Sequence, residues 1–523
     1  MRVLITTSGI GSRLGKITEY TNKCLVRVGD KPAISHIVEG YPDDTAFVIT
    51  LGYYGDHVRD FLTLAYPNKE FIFFEVENYS GAGSSLLHSM SIAREALQCP
   101  FVFHACDAIV LDTIPPPDAE NWILGSNIAP ADQYRTLNIS GIGGRHLSSI
   151  NEKGEISFDL AYPGLLGIND YISFWKCLDD VSHDSDTQLS DCHVVQKMMQ
   201  DGRKFIVQET KHWYDVGEPY SLARSRRHIQ SSIDVLDKPR ENVYILEDTV
   251  IKFFHNPELV SKRVARAKVL RGLVPKILGH KKNFFKYEYV EGNLFSSVVS
   301  PKSMKRLLSW TKKNMWSRSP DGVLEEEDNR SFYLDKTKDR ILMYLSNIED
   351  ETQLINHQDV PPVEQMINSI DKQWLLNGEA AVIHGDFILD NIIERGQGFC
   401  FIDWRQDYAG KIDVGDIYYD LAKLNHNLTF NHELVSAGNY KIEETERGIK
   451  CDILCSKNLL DCQEVLHTFI QENGYDLKKV KTLTALIWIN MSPLHEYPLN
   501  NFLFHFGKYN LYRTLALENI KNE

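Results

Sequence analysis

The sequence predicts an α/β protein in two parts: an open, mainly parallel sheet domain over residues 1–228 and a two-lobed α+β domain over 241–523. Three observations carry that prediction. Up to about Ile229, short apolar runs alternate with amphipathic stretches. Between Arg224 and Arg240 the chain turns polar and charged, and 229–240 read as a linker. Beyond it, three β-rich runs precede a long helical region.

Val3–Thr6, Ala46–Thr50, Phe71–Phe74 and Pro100–His104 read as strands, each a short apolar run between turn or polar residues. Pro32–Glu39, His57–Leu64 and Gly83–Ala96 carry helical spacing between them. Sheets of this kind bind ligands at the carboxyl ends of their strands. Those ends are Thr7–Arg13 and Cys106-Asp107. In the second part, Asn242–Leu246, Val250–Phe254 and Phe285–Tyr289 read as strands of a small lobe. Helical patterns dominate from Pro301 on, with a hairpin around Gly396–Trp404. The acidic run Glu325-Glu326-Glu327-Asp328 reads as a solvated loop.

Composition narrows the function class. At 523 residues the chain exceeds one ordinary core, and 43 % hydrophobic with 24 % charged residues describes a globular protein. The net charge of −14 argues against a nucleic-acid partner, whose phosphates it would repel. Nine cysteines without regular spacing fit a reducing compartment better than a disulfide framework. Met1–Thr7 reads as a buried strand without a cleavage site, and no run approaches the ~20 apolar residues that cross a bilayer. The expectation is a cytoplasmic protein with no membrane partner.

The opening run is Ser8-Gly9-Ile10-Gly11-Ser12-Arg13, then Asn22-Lys23 and Lys31-Pro32. Small residues let backbone N–H groups approach phosphate oxygens, while Arg13 and Lys23 supply countercharge. This spacing resembles the nucleotidyltransferase family that makes NDP-sugars and CDP-alcohols. Over residues 1–228 that resemblance implies a Rossmann-like nucleotidyltransferase sheet domain. It implies that Ser8, Gly9, Gly11, Ser12, Gly81 and Gly83 cradle the nucleotide, the last two from Tyr79-Ser80-Gly81-Ala82-Gly83. It further implies Asp107 and Asp215 (in Trp213-Tyr214-Asp215-Val216-Gly217) as magnesium carboxylates, with Arg13 and Lys23 catalytic. Tyr162–Ile168 resembles the strand lining the acceptor pocket. Asn22 stands where relatives carry Pro, and Cys106 where they carry Gly; neither change removes a charge that the chemistry uses.

The second motif is His384-Gly385-Asp386-Phe387-Ile388-Leu389-Asp390-Asn391, followed by Phe401-Ile402-Asp403-Trp404. One carboxylate beside an acceptor hydroxyl, with an amide and a second acid for a metal, is what phosphoryl transfer from ATP needs. The run resembles the catalytic loop and metal strand of the aminoglycoside phosphotransferase and choline kinase superfamily. That implies a bilobal, protein-kinase-like fold over 241–523, with Asp386 catalytic and Asn391 and Asp403 on magnesium. Lys252 would meet nucleotide phosphates, and Glu288 and Tyr289 would lie in the connector beside adenine. Asp416 and Asp420 match the family's closing segment and read as structural. Arg263–Leu270 offers no Glu to pair with Lys252, leaving Glu258 as a substitute or the nucleotide alone to hold that Lys. Trp374, Trp404, Tyr408, Tyr418 and Tyr419 are either core residues or an aromatic box for a quaternary ammonium.

Together the two resemblances imply a bifunctional enzyme using Mg2+, ATP and CTP or UTP. Its kinase half would phosphorylate a small alcohol or amino-alcohol such as choline or ethanolamine. Its other half would then make a CDP-alcohol and pyrophosphate, for surface-glycan decoration. A sugar acceptor, phosphorylated by an anomeric sugar kinase and fed to an NDP-sugar pyrophosphorylase, is the alternative, to which Gly81-Ala82-Gly83 is closer. A third reading has one half catalytically dead and only sensing nucleotide.

Overall fold

The computed structural model describes residues 1–81, 83–127, 132–141, 145–182, 189–232 and 238–516. Ala82 of the expected glycine segment and residues 233–237 of the expected linker lie outside them. By compactness the chain falls into two units. One is Met1–Val260 with Leu278–Tyr289; the other is Ser261–Ile277 with residues 290–523.

In the first unit ten strands form one sheet. The four strands legible in the sequence lie side by side and parallel, as Phe101–Ala105, Arg2–Thr6, Ala46–Leu51 and Glu70–Glu75. Val3, Leu4 and Ile5 are fully buried, as helices on both faces of a central parallel strand demand. Past Phe101–Ala105 the pattern changes. Leu165–Ile168 runs antiparallel to both its neighbours, Phe101–Ala105 and Trp122–Ser126, so the whole sheet is mixed rather than mainly parallel. A strand buried on both faces is a continuous apolar run whichever way it points, so the sequence carries no sign of direction here. Gly167 in that strand is required by packing. A Cβ there would sit 2.0 Å from the Trp122 indole nitrogen.

Strands Glu241–Leu246, Thr249–Phe254, Phe284–Glu288 and Ile277–His280 follow in that order in a four-stranded sheet. The first three sit within a residue of their expected positions. Their apolar face is covered by helix Gly55–Ala65. Phe61 lies 5.3 Å from Tyr244 and 6.0 Å from Phe284, and His57 lies 5.1 Å from Phe253, ring centre to ring centre. Val3, Ile5, Phe61, Tyr244, Ile251, Phe253 and Phe284 therefore belong to one hydrophobic cluster. Polar contacts reinforce it: the Tyr244 hydroxyl donates to Leu25 O at 2.7 Å. Lys286 Nζ lies 3.4 Å from the Leu64 and Ala65 carbonyls, where a cation suits a helix C-terminus. Compactness thus divides the chain after Val260, beyond the polar stretch. Arg224–His228 of that stretch close the helix Pro219–His228.

The second unit is mainly helical. Helices Ile417–Thr429, Lys457–Glu472, Leu477–Met491 and Leu499–Ala516 pack on one another, and the hairpin Ile392–Arg395 and Gly398–Phe401 lies where the sequence places it. The acidic run is not a loop: Glu325 caps the helix Glu326–Asn329, whose first turn carries the other three acids against the positive end of the helix dipole. No described helix is long and apolar enough to cross a membrane.

The shared cluster makes a direct prediction. A specific protease site inserted between residues 232 and 238 should yield two fragments that co-elute under native conditions and separate only in denaturant. Phe253→Ala should lower stability by about 3–5 kcal/mol, read by chemical denaturation, because it empties a fully buried site. Fragments that part without denaturant would show that the cluster does not hold the two segments together.

Candidate active sites

In the first unit, Ser8, Gly9, Gly11 and Ser12 carry the chain from the strand Arg2–Thr6 into the turn Ser12–Thr18. Gly11 has φ +70°, and a Cβ there would lie 2.9 Å from Lys23 Cβ, so the glycine lets Lys23 cross the loop closely. Ser8 Oγ sits 2.8 Å from Ser89 Oγ, which ties the loop to the helix Leu86–Ile92. Ser8 O and Tyr79 Cβ lie 2.6 and 2.8 Å from where a Gly52 Cβ would be, so the Tyr79 segment borders the loop. Gly81 and Gly83 follow it, both with left-handed φ. Asn22 is fully buried. Its amide donates to Thr7 O at 2.7 Å and Tyr53 O at 2.6 Å, and its carbonyl oxygen accepts Cys24 N–H at 3.0 Å. The residue standing in place of Pro thus laces the loop to the next strand end.

Arg13, Lys23, Asp107 and Asp215 come together. The short strands Ala108–Val110 and Trp213–Asp215 pair antiparallel with Asp215 opposite Ala108, which sets the two acids side by side. Around the point where a Gly217 Cβ would lie, Asp107 Oδ2, Asp215 Oδ1 and Arg13 Nη2 stand at 3.2, 3.3 and 3.4 Å. Lys23 Nζ donates to Asp107 Oδ2 at 3.0 Å. Burial works against both charges of that pair, yet their mutual attraction prevails: Lys23 is held above its ordinary pKa and Asp107 below its own. Asp215 moves the other way, raised by burial and by the neighbouring Asp107 charge. Two carboxylates of opposite shift, both hard oxygen donors, suit Mg2+. Buried His104 aims the acids: its Nε2 donates to Ala108 O at 2.7 Å while its Nδ1 accepts the Tyr41 hydroxyl at 2.8 Å. Cys106 is a buried thiol pushed up to about 11, chiefly by burial.

The sequence left two partners unread. Glu218 Oε1 accepts Arg13 Nη1 at 2.6 Å, and the Tyr134 hydroxyl donates to Asp215 Oδ2 at 3.0 Å. Glu218 stands in the very segment that carries Asp215, so its proximity was in the motif and only its role was missed.

In the second unit, Asp420 is fully buried and shapes the loop 384–391. It accepts His384 N–H at 2.8 Å, Gly385 N–H at 2.7 Å and the Trp316 indole at 3.0 Å. Asp416 accepts backbone N–H groups of Glu379 and Tyr418 and the Tyr333 hydroxyl. Both are structural, as the sequence suggests. Asp386 leaves this scaffold toward Lys423, Oδ1 to Nζ 2.9 Å. Burial alone would raise the Asp386 pKa, but Lys423 outweighs it and the acid falls to about 2. Asn391 Nδ2 donates to Asp386 O at 2.9 Å and Oδ2 at 3.1 Å, which turns its Oδ1 away from that pair. Ile402 N donates to Asn391 O at 2.9 Å, and Asp403 follows at once with φ +58°.

Asp403 meets Arg263 Nη1 at 3.2 Å. Arg263 lies on the helix Pro257–Val269, which thus turns an Arg toward Asp403. Lys423 is three residues past Asp420 on the helix Ile417–Thr429, a spacing that would have put it on the Asp386 side. Lys252 lies in the first unit, 5 % exposed in the strand Thr249–Phe254. Glu288 ends its paired strand, and Tyr289 N–H donates to Asp248 O at 2.7 Å. Among the described residues no three His, Cys, Asp or Glu side chains converge on one point. Mg2+ held by one or two carboxylates takes its remaining ligands from phosphate and water.

The aromatic box does not form. Trp404, Tyr408, Tyr418 and Tyr419 are buried, and Tyr408 stacks on Phe332 at 4.2 Å. The chain's own ammonium groups sit over two of the candidate rings, Lys478 on Trp374 at 5.1 Å and Lys479 on Tyr418 at 4.4 Å.

Both parts of the chain are similar to known proteins. Residues 318–438 match APH, the phosphotransferase enzyme family. The bifunctional protein GlmU of Methanococcus maripaludis is 22 % identical over 258 residues, 48 % of this chain and 60 % of that protein. The chain thus spans about 60 % of the length of the curated relatives it matches. A Bacillus anthracis structure, described as a glucose-1-phosphate thymidylyltransferase with sucrose, is 21 % identical and covers 46 % of this chain and 98 % of its own, with a TM-score of 0.38. The CTP:phosphocholine cytidylyltransferase of Streptococcus pneumoniae is 16 % identical over 44 % of this chain and 99 % of its own, with a TM-score of 0.35. The chain carries a nucleotidyltransferase-like sheet domain followed by an APH kinase-like domain, the latter matched over residues 318–438.

The Asp386–Lys423 pair is testable by itself. Carbon-13 NMR titration should find Asp386 near about 2 in the native chain. In Lys423→Met, burial without its counter-ion should lift it above the ordinary value of about 4. An unmoved titration would show that Lys423 does not keep the acid ionised.

Proposed function

We propose that the chain is a bifunctional transferase. Its C-terminal site moves the γ-phosphoryl group of ATP onto the hydroxyl of a small acceptor. Its N-terminal site couples that phosphomonoester to CTP or UTP and releases pyrophosphate. One observation supports this above all: two separate centres, each pairing a partly buried carboxylate with a lysine at 3.0 and 2.9 Å, lie on two different nucleotide motifs.

At the C-terminal centre, Asp386 is ionised throughout the neutral range, so it can accept the hydroxyl proton as the new P–O bond forms and ADP leaves. Asn391 fixes its orientation. At the N-terminal centre the attacking phosphate is already ionised and needs no protein base. Arg13 and Lys23 offset charge on the α-phosphate and on departing pyrophosphate. Mg2+, when bound through Asp107 and Asp215 or through Asn391 and Asp403, supplies further neutralisation of phosphate charge. Lys252, with Glu288 and Tyr289, completes the ATP-binding set in this reading, and Ser8, Gly9, Gly11, Ser12, Gly81 and Gly83 complete the other. By function the division then falls at 229–240, with the kinase domain over 241–523, although compactness extends the first unit further.

The acceptor is the finer question. Choline- or ethanolamine-like alcohols leading to a CDP-alcohol, in a cytoplasmic step of surface-glycan assembly, form one branch; sugars leading to an NDP-sugar form the other. The buried and lysine-capped aromatics disfavour a quaternary ammonium and weight the reading away from choline.

Asp386→Ala should abolish acceptor phosphorylation yet leave nucleotidyl transfer from a supplied phosphomonoester within about twofold. Asp107→Ala should do the converse, at a cost of roughly a thousandfold for several kcal/mol of lost transition-state stabilisation. Mass spectrometry of products from alcohols, amino-alcohols and sugars with ATP and each NTP reads both. A variant losing both steps, or neither, would contradict two independent centres. A wild-type half that binds nucleotide without turnover would support the sensing alternative.

A further inference from the structure

The phosphotransfer centre is surrounded by cations beyond those the chemistry of ATP requires. Phe332 holds two of them, with Lys336 Nζ 4.8 Å and Arg405 Cζ 4.9 Å from its ring centre. Arg405 is anchored directly beside the catalytic loop. Its N–H donates to His384 O at 3.1 Å, and its Cβ lies 2.7 Å from where a Gly385 Cβ would be, one residue from Asp386. Arg340 is one turn beyond Lys336 on the helix Lys336–Tyr344, on the same face, and its Nη1 is buried without a hydrogen-bond partner. Lys423 closes the group against Asp386.

The acids nearby do not balance this charge. Asp407 is taken by Lys262 at 3.1 Å, and Asp386 by Lys423. Asp335 and Asp339, on the same helical stretch as Lys336, are exposed. Among the described residues no carboxylate lies within ion-pair distance of Lys336 or Arg340. Like charges one turn apart oppose each other, and a buried guanidinium nitrogen without a partner is costly. Burial pushes Lys336 down to about 7, with Arg405, Arg340 and Lys423 adding to the fall and Asp407 opposing it. An oxyanion placed here would relieve every one of these penalties through charge-assisted hydrogen bonds.

We propose that the phosphoryl acceptor is itself anionic, a small hydroxylated compound whose carboxylate or phosphate group is bound by Lys336, Arg340 and Arg405 beside Asp386. The proposal rests on the phosphotransferase reading and sharpens it. Asp386 orients the hydroxyl, so the cluster joined to it through Gly385 and Lys423 belongs to the acceptor rather than to the nucleotide. A cationic acceptor would meet net repulsion, which turns the same charges into a filter.

The probe is pyridoxal 5′-phosphate on the full chain, against pyridoxal as its uncharged counterpart. The Lys336 amine condenses with the aldehyde and loses water; borohydride then delivers hydride to the imine carbon, and peptide mass spectrometry locates the label. The phosphorylated reagent should label Lys336 at a concentration at least tenfold lower than pyridoxal. Arg340→Gln should cut that preference to below about threefold, and Lys336→Gln should remove the label. Protection by malonate points to a carboxylate acceptor, and protection by inorganic phosphate points to a phosphorylated one. Equal labelling by the two reagents would overturn the proposal, as would protection by ADP with none from either anion. Labelling needs no turnover, so its failure is distinct from failure of the Asp386→Ala test of phosphotransfer.

Discussion

Both centres depend on keeping a half-buried carboxylate charged against the pull of its partly desolvated surroundings. Desolvation by itself would raise the pKa of Asp107 and of Asp386. In each case an ammonium group at hydrogen-bond distance reverses that tendency. Such a pair recovers its desolvation cost only with good geometry and further hydrogen bonds. Much of the surrounding structure serves that geometry. His104, held by Tyr41, fixes the turn that delivers Asp107. Asp420, held by Trp316, fixes the loop that delivers Asp386. The ionised acids are therefore properties of whole folded shells, and the motif residues alone would not have them.

That distinction explains what could be read in advance. Asp107, Asp215, Asp386 and Asn391 were legible because each sits at a strand end or tight turn where backbone geometry restricts the sequence locally. Lys423 and Arg263 were not singled out, although both lie on predicted helical stretches. Helical periodicity says which residues share a face, but not which loop from elsewhere in the chain will meet that face. The same limit applies to Asn242–Leu246 and its neighbours. Their apolar alternation announces that something must cover them, and only tertiary structure names helix Gly55–Ala65 as the cover. The direction of Leu165–Ile168 was illegible for a different reason, since burial on both sides erases the period that would distinguish a strand's surroundings.

The departures from family pattern also gain a physical meaning. Asn22 performs with three hydrogen bonds what a rigid Pro achieves by restricting the backbone. Arg263 pairs with Asp403, so that carboxylate already carries a counter-ion from the chain itself. The aromatic residues near the loop are committed to the core, and their exposed faces to lysines.

The cluster that joins Phe61 to Phe253 and Phe284 also dictates an order of events during synthesis. Residues 1–228 cannot complete their core when they leave the ribosome, because part of its cover is encoded as far downstream as Phe284. At roughly 5–20 residues per second, that delay lasts several seconds. Meanwhile helix Gly55–Ala65 presents His57 and Phe61 to solvent or to chaperones, without their Tyr244, Phe253 and Phe284 partners. The nascent first half is thus a client awaiting its own continuation, and a ribosome stalled before residue 284 would release a sticky chain rather than a working domain.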